Sequence, residues 1–315
     1  MVSRNRKMRN TKILIYSFYR FIEIKNKKNV KNILDKYFIK KLIRGTILIA
    51  NEGINANISG TEKDLLLAIK LIRKLLKIRK INIKINKNDF LPFNRIKVRL
   101  KKEIVSLGQG YFDVNKKTGN FISPSKWDKL IIKKNLKLID TRNIYEIEIG
   151  KFKTALNPMT QNFREFPKKF ERLEIDKSDQ IAMYCTGGIR CEKASAYLKS
   201  KGYKNIFQLQ GGIINYLKYH KQKETNGLWD GECFVFDNRV SVKHNLNIGT
   251  YSICGGCRKP ISITDKKSKK FERGVSCSKC RDSLSRSQIK RFRMRQKQIE
   301  LAKKNKQNYL FQKEY

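Results

Sequence analysis

The chain has 315 residues, with 72 Lys and Arg against 27 Asp and Glu and a formal net charge of +45. A content of 40% hydrophobic and 10% aromatic residues excludes a disordered chain, and no apolar run approaches the ~18 residues of a membrane span. Such a charge points to a polyanionic partner, RNA or DNA, although the abundance of Lys, Ile and Asn is also what an A/T-rich coding sequence yields.

The length allows two or three domains, each with its own core. The N-terminal stretch to Phe21 has a basic start and a short apolar run. Arg20 breaks that run and no small-residue cleavage site follows, so it reads as a first strand, not a signal peptide. The seven cysteines are Cys185, Cys191, Cys233, Cys254, Cys257, Cys277 and Cys280. An odd set clustered late in the chain argues against a secreted disulfide framework. It suits a reducing cytoplasm, with thiols used for chemistry or metal.

In chain order, "KILIYSFY" predicts a strand, and 27–44 a helix with Val30, Ile33, Leu34, Tyr37 and Phe38 on one face. "GTILIANEG" and "INANISGT" predict two strands around an Asn-Glu-Gly turn. Its Asn51, Glu52 and Asn55 either cap the hairpin or face a substrate. Thr61 N-caps a second helix, and "INIKINK" closes as a strand. The order β-α-β-β-α-β is that of a ferredoxin-like α+β domain, placed at 1–90.

In the basic strand and linker at 91–119, Arg95, Lys97, Arg99 and Lys101 share one strand face, with Ile96, Val98 and Leu100 on the other. The row is either a half-buried strand with a solvated face or an RNA-binding row of cations. From 120 to 225 strands and helices alternate, which predicts an α/β domain with a parallel sheet and a site beyond the strand ends. Asp140 and Cys185 both fall there.

The loop Cys185-Thr186-Gly187-Gly188-Ile189-Arg190 joins such a strand to a helix. Free N–H groups at a helix start, two glycines and an arginine favour an anion, as a nucleophilic thiolate requires. Cys191, one residue into the helix, is expected to turn away and pack, and Cys233 to lie in a core.

Residues 226–285 contain Cys254, Cys257, Cys277 and Cys280 in a C-x2-C-x19-C-x2-C pattern, which predicts a small zinc-ribbon-like module with a closed, structural site. The basic helical tail 286–315 holds ten Lys and Arg against Glu300 and Glu314. It is either a solvated tail or an RNA-contacting arm, with Phe292 and Tyr309 available for stacking.

Four stretches resemble the rhodanese domain. They are "LIDTRNIYEIEIGKF", with Asp140, Arg142 and Glu146 in place, then "TALNP", the cysteine loop, and "LQGGI". Lys151 stands where that domain commonly has a histidine. Related phosphatases place five residues between Cys and Arg, whereas this loop has four. A narrower resemblance rests on "IANEGINANISGT", "MYCTGGIRCEKASA", "GGIINY" and "GECFVFDNRVSV". Together these are similar to the rhodanese-domain tRNA uridine(34) hydroxylases over roughly residues 12–282. That resemblance implies a cytoplasmic, oxygen-dependent enzyme converting the wobble uridine of tRNA to 5-hydroxyuridine. Cys185 and Arg190 would be catalytic, with Asp140 and Arg142 supporting them. No flavin or nicotinamide motif is evident, and the only histidines are His220 and His244. Two alternatives stay open: a sulfurtransferase carrying a persulfide on Cys185, and a non-enzymatic RNA-binding protein.

Overall fold

The structure, a computed structural model, describes residues 13–39 and 41–305. It divides into two compact units, one ending at Ser106 and one beginning at Leu107.

In the first unit the chain runs β1 (Ile13–Phe21), α1 (Lys27–Ile39), β2 (Arg44–Ala50), β3 (Gly53–Gly60), α2 (Glu62–Leu76), β4 (Lys84–Asn88) and β5 (Ile96–Leu100). The predicted β-α-β-β-α-β order holds. The first helix stops at Ile39, short of 44, because residues from Arg44 enter β2. The sheet order is β4-β1-β3-β2-β5, antiparallel throughout except β2 with β5. Alternation in β1 sends Leu14, Tyr16 and Phe18 to the face covered by Val30, Leu34 and Phe38 of α1 and Leu65, Ile69 and Ile72 of α2. Thr61 caps α2 by accepting from Asp64 N at 3.3 Å, as its sequence position predicts.

Ala50 pairs with Gly53, so the hairpin turns on Asn51 and Glu52 alone. Gly53, at φ +148°, opens β3, where a Cβ would lie 2.1 Å from the Arg20 carbonyl oxygen. Glu52 and Asn55 bind the backbone of Ile104: Ile104 N donates to Glu52 Oε1 at 2.7 Å, and Asn55 Nδ2 donates to Ile104 O at 3.1 Å. These side chains therefore pin the chain that leaves β5.

The second unit is built on a four-stranded parallel sheet, order β6-β10-β9-β7. Its elements are α3 (Val114–Lys117), β6 (Asn120–Ile122), α4 (Pro124–Ile131), β7 (Leu136–Asp140), α5 (Ile144–Ile147), β8 (Gly150–Phe152), α6 (Phe166–Glu171), β9 (Gln180–Tyr184), α7 (Ile189–Ser200), β10 (Ile206–Leu209) and α8 (Gly212–Gln222). Then follow β11 (Trp229–Gly231), β12 (Cys233–Phe234) and β13 (Ser241–Val242). Phe152 centres the core, edge-on to Tyr184, Tyr216 and Trp229 at 4.9, 5.0 and 5.2 Å. Trp229, Cys233, Val235 and Val242 pack in this same core, and β11 pairs with β8. The chain finishes with β14 (Ser252–Ile253), β15 (Pro260–Ile261), α9 (Ile263–Lys266) and the long helix α10 (Arg286–Lys304). Among the described residues, no helix is long and apolar enough to cross a membrane.

Candidate active site and metal centre

β7 and β9 are parallel neighbours, with Asp140 opposite Tyr184, so the residues that follow them emerge at one edge of the sheet. Cys185 comes directly after β9 and is 1% exposed. Gly188, at φ +99°, is the N-cap of α7, and its N–H donates to Cys185 Sγ at 3.0 Å. A side chain would be strained in that conformation, which explains the glycine. Thr186, Gly187 and Ile189 are half-buried and form the solvent side of the loop.

The start of α8 closes the loop from below. Ile213 N donates to Cys185 O at 2.9 Å and Ile214 N to Thr186 O at 3.2 Å. Gly212, at φ +69°, approaches so closely that a Cβ would sit 2.4 Å from Cys185 O. The loop is thus held between two helix starts, its sulfur within reach of helix N-terminal charge.

Burial pushes the Cys185 thiol up. The Cys191 thiol donating to it, the Arg190 charge and the backbone N–H groups of Cys191 and Gly188 outweigh that and hold it well below its ordinary value. These contacts favour the thiolate form of Cys185 over the thiol. Cys191 behaves oppositely: burial, its hydrogen bond to Cys185 and the Cys185 charge hold it well above the usual thiol range. Its Sγ also lies 3.5 Å from Thr141 Oγ1. Cys191 lies on the first turn of α7 and is fully buried, so it packs as its position in the sequence suggests.

Arg190 does not offer a free guanidinium fork. It is bidentate to Glu146, with Nη1 to Oε1 at 2.6 Å and Nη2 to Oε2 at 2.8 Å, and both side chains are buried. Glu146 also accepts from Asn143 N at 3.1 Å and Thr186 Oγ1 at 3.4 Å. Burial would raise the Glu146 carboxyl, but Arg190, Arg142 and the Asn143 N–H hold it low. Arg190 therefore acts on Cys185 through its field. Its outer side faces Phe236, whose ring centroid is 5.9 Å from the guanidinium carbon and which is 57% exposed.

Asp140 and Arg142 lie beneath the loop. Arg142 is fully buried, clamps Asp140 through Nε at 2.9 Å and Nη2 at 2.6 Å, and donates to the carbonyls of Glu146 and Gly150. It stacks against Trp229 and Tyr184 at 5.0 and 5.7 Å. Each partner satisfies the other, which makes the pair a scaffold that fixes the turn after β7.

On β5, the edge strand of the first sheet, Arg99 is exposed and Lys97 half-buried; Arg95 and Lys101, exposed, flank its two ends, and of the apolar face only Val98 is fully buried. The four sulfurs of Cys254, Cys257, Cys277 and Cys280 lie within 4.8 Å of one another, an arrangement that could hold a metal ion. Lys279, beside this cluster, forms an ion pair with Glu148 just past α5. α10 is mounted on the cluster, since Arg295 Nη2 donates to the carbonyls of Gly255 and Gly274 at 2.7 and 2.8 Å. Phe292 is half-buried between Arg295 and Arg291, and Tyr309 lies outside the described residues.

Residues 13–104 match the family described as UPF0176 acylphosphatase like domain, and residues 123–218 match the Rhodanese-like domain. The tRNA uridine(34) hydroxylase of Pelagibacter ubique is 54% identical over 96% of this chain and 99% of that protein. The chain belongs to the tRNA uridine(34) hydroxylase family. A second member, from Teredinibacter turnerae, is 44% identical over 92% of this chain and 90% of its own. A solved rhodanese-related protein from Thermoplasma volcanium is also similar, at 22% identity over 32% of this chain and 92% of that one, with a TM-score of 0.28. Sequence reasoning about this hydroxylase-family chain assigned no partner to Glu146 and missed Gly212 and Phe236. The rhodanese-like motif containing Glu146 was the one available signal for the first.

Proposed function

We propose that this chain is a cytoplasmic enzyme that hydroxylates C5 of the wobble uridine, position 34, of tRNA, with molecular oxygen as co-substrate and Cys185 as nucleophile. The observation that carries this reading is the buried Cys185 sulfur at the start of a helix, which accepts from the Gly188 N–H at 3.0 Å and whose thiol Cys191, the Arg190 charge and the loop N–H groups hold low. Family membership supplies the substrate. Uracil C5 reacts poorly with oxygen while the ring is conjugated. Addition of the Cys185 thiolate at C6 leaves an enolate whose electron density lies on C5, where an oxygen electrophile can bond. The loop N–H groups oppose charge loss at sulfur until addition and receive the thiolate again on elimination. Phe236, exposed beside Arg190, offers the uracil a face to stack on.

Two further features support tRNA as the ligand and zinc as the metal. A cleft of about 470 Å³ on α10 is lined by Arg281, Arg286, Lys290, Arg293 and Lys297. Glu272 pairs with Arg281 and Arg293, so the cleft keeps a clear excess of positive charge for phosphates. The cysteine sulfurs fit zinc: Cys254–Cys280 and Cys257–Cys277 are 3.8 Å apart and Cys277–Cys280 3.7 Å. A tetrahedral site with Zn–S near 2.3 Å has edges of about 3.8 Å. Such a site would be closed by four thiolates and would stiffen the mount of α10.

The test is purified protein with a U34-bearing tRNA transcript, in air and without oxygen, followed by nucleoside mass spectrometry. Oxygen-dependent 5-hydroxyuridine that disappears in Cys185→Ser supports the reading. A thiolated base formed from a persulfide would replace it with the sulfurtransferase alternative.

A further inference from the structure

Alternation along the strands of the first unit gives its sheet two faces. One packs on α1 and α2 through Leu14, Tyr16 and Phe18 of β1, Ile47 and Ile49 of β2, and Val98 of β5. The residues between these form the other face, and the pairing register aligns them in rows. Lys84 of β4 stands beside Ser17 of β1, Ser17 beside Asn57 of β3, Asn57 beside Thr46 of β2, and Thr46 beside Lys97 of β5. The next row is Tyr19, Asn55, Leu48 and Arg99. All of these residues are half-buried except Arg99, which is exposed. The band is closed at both ends, by buried Ile15 and Ser59 on one side and buried Phe21 and Ala50 on the other.

The chemistry of this band is one-sided. The five strands carry Arg20, Arg44, Lys84, Lys87, Lys97 and Arg99 and no Asp or Glu. A face built only for solvent mixes both signs, because opposite charges on neighbouring strands stabilise each other. In the first row a lysine stands at each edge of the sheet, with a hydroxyl, an amide and a second hydroxyl between them. Among the described residues, the side chains of Ser17, Asn57 and Thr46 have no hydrogen-bond partner, so their donors and acceptors are unspent. Asn55, in contrast, is committed to the Ile104 carbonyl. Tyr19 is braced edge-on by Phe21 at 6.1 Å, and the Lys84 ammonium lies 5.8 Å from its ring centroid. With strands about 4.8 Å apart, the row from Lys84 to Lys97 spans about 19 Å, room for roughly two or three splayed nucleotides.

We infer that this face binds a single-stranded segment of the tRNA substrate. Lys84, Lys97 and Arg99 take phosphates, Asn57 and the flanking hydroxyls meet base edges, and Tyr19 stacks on a base. The inference rests on tRNA as the ligand and adds a surface in the first unit to the cleft on α10. A duplex fits poorly, because its bases are stacked inward and would leave the amide and the ring without partners. A strand with its bases turned out uses both.

The experiment uses the full zinc-loaded chain and U34-bearing tRNA transcript, with filter binding over a range of salt. Lys84→Gln with Lys97→Gln should reduce the log–log salt slope by about 1.4, the release from two single-strand phosphates. Lys70→Gln with Lys74→Gln, the same charge change at exposed positions of α2, should leave the slope nearly unchanged. Asn57→Asp should weaken binding by roughly tenfold. Tyr19→Leu should weaken it by about fivefold or more, and Tyr19→Phe, which keeps the ring, should restore most of that. Thermal melting of each variant separates a binding loss from a folding loss. In parallel, a single-stranded oligoribonucleotide carrying 4-thiouridine is photocrosslinked to the wild type. It should label peptides of β1 and β3, and unlabelled single strand should compete where a duplex of the same sequence does not. Equal effects of the two lysine pairs, labelling confined to other peptides, or equal competition by the duplex would overturn the inference. A wild type that fails to bind tRNA at all would instead sink the tRNA reading.

Discussion

Replacing Arg190 with Met tests the electrostatic architecture of the site. The substitution roughly preserves side-chain length but removes both hydrogen bonds to Glu146, at 2.6 and 2.8 Å, and leaves a fully buried carboxylate without its cation. Breaking a buried pair from one side costs about 3–5 kcal/mol, which for a unit of this size lowers the melting temperature by roughly 6–20 °C. The effect should depend on pH. In the wild type the folded-state Glu146 carboxyl is held low, so its contribution is present above the unfolded carboxylate pKa and fades as pH falls through the folded value. In the variant burial dominates and raises that carboxyl, so the folded state gains by binding a proton and the gap to wild type narrows from pH 8 to pH 5. The Cys185 thiol should also rise, because the Arg190 charge helps hold it down. Calorimetry across that pH range, with peptide-resolved alkylation of Cys185 against pH, reads both effects. An unchanged melting temperature, a gap independent of pH, or an unmoved alkylation midpoint would refute the reasoning.

Other outcomes follow from the same geometry. Gly212→Ala places a methyl 2.4 Å from Cys185 O at φ +69°, so activity should fall at least tenfold while zinc content is unchanged; full activity would mean the loop is not held from below. Chelation of the metal should release one zinc per chain and weaken tRNA binding, with the Cys185 alkylation profile intact, as read by atomic absorption and filter binding. Changing Arg286, Lys290 and Lys297 together to Gln should flatten the salt dependence of tRNA binding by about two in log–log slope. The same number of charges removed from Arg291, Lys303 and Lys304 should do less; equal effects would assign binding to net charge alone.

What the sequence disclosed was mostly local. Strand and helix periods, the Thr61 cap and the paired C-x2-C steps depend on neighbours a few residues apart, and they are found where their spacing puts them, apart from the first helix, which ends at Ile39. The cysteine loop was legible for the same reason: two glycines, a helix start and an arginine fall within six residues. What escaped depends on distant partners. Glu146 meets Arg190 across 44 residues only because β7 and β9 lie side by side. Trp229 enters the central core because β11 returns to pair with β8.

The most direct measurement is mass spectrometry of tRNA nucleosides from cells lacking this protein, complemented with wild type or with Cys185→Ser. The account predicts that 5-hydroxyuridine and its derivatives vanish in the deleted strain and return only with wild type. Unchanged 5-hydroxyuridine, or full restoration by Cys185→Ser, would contradict it.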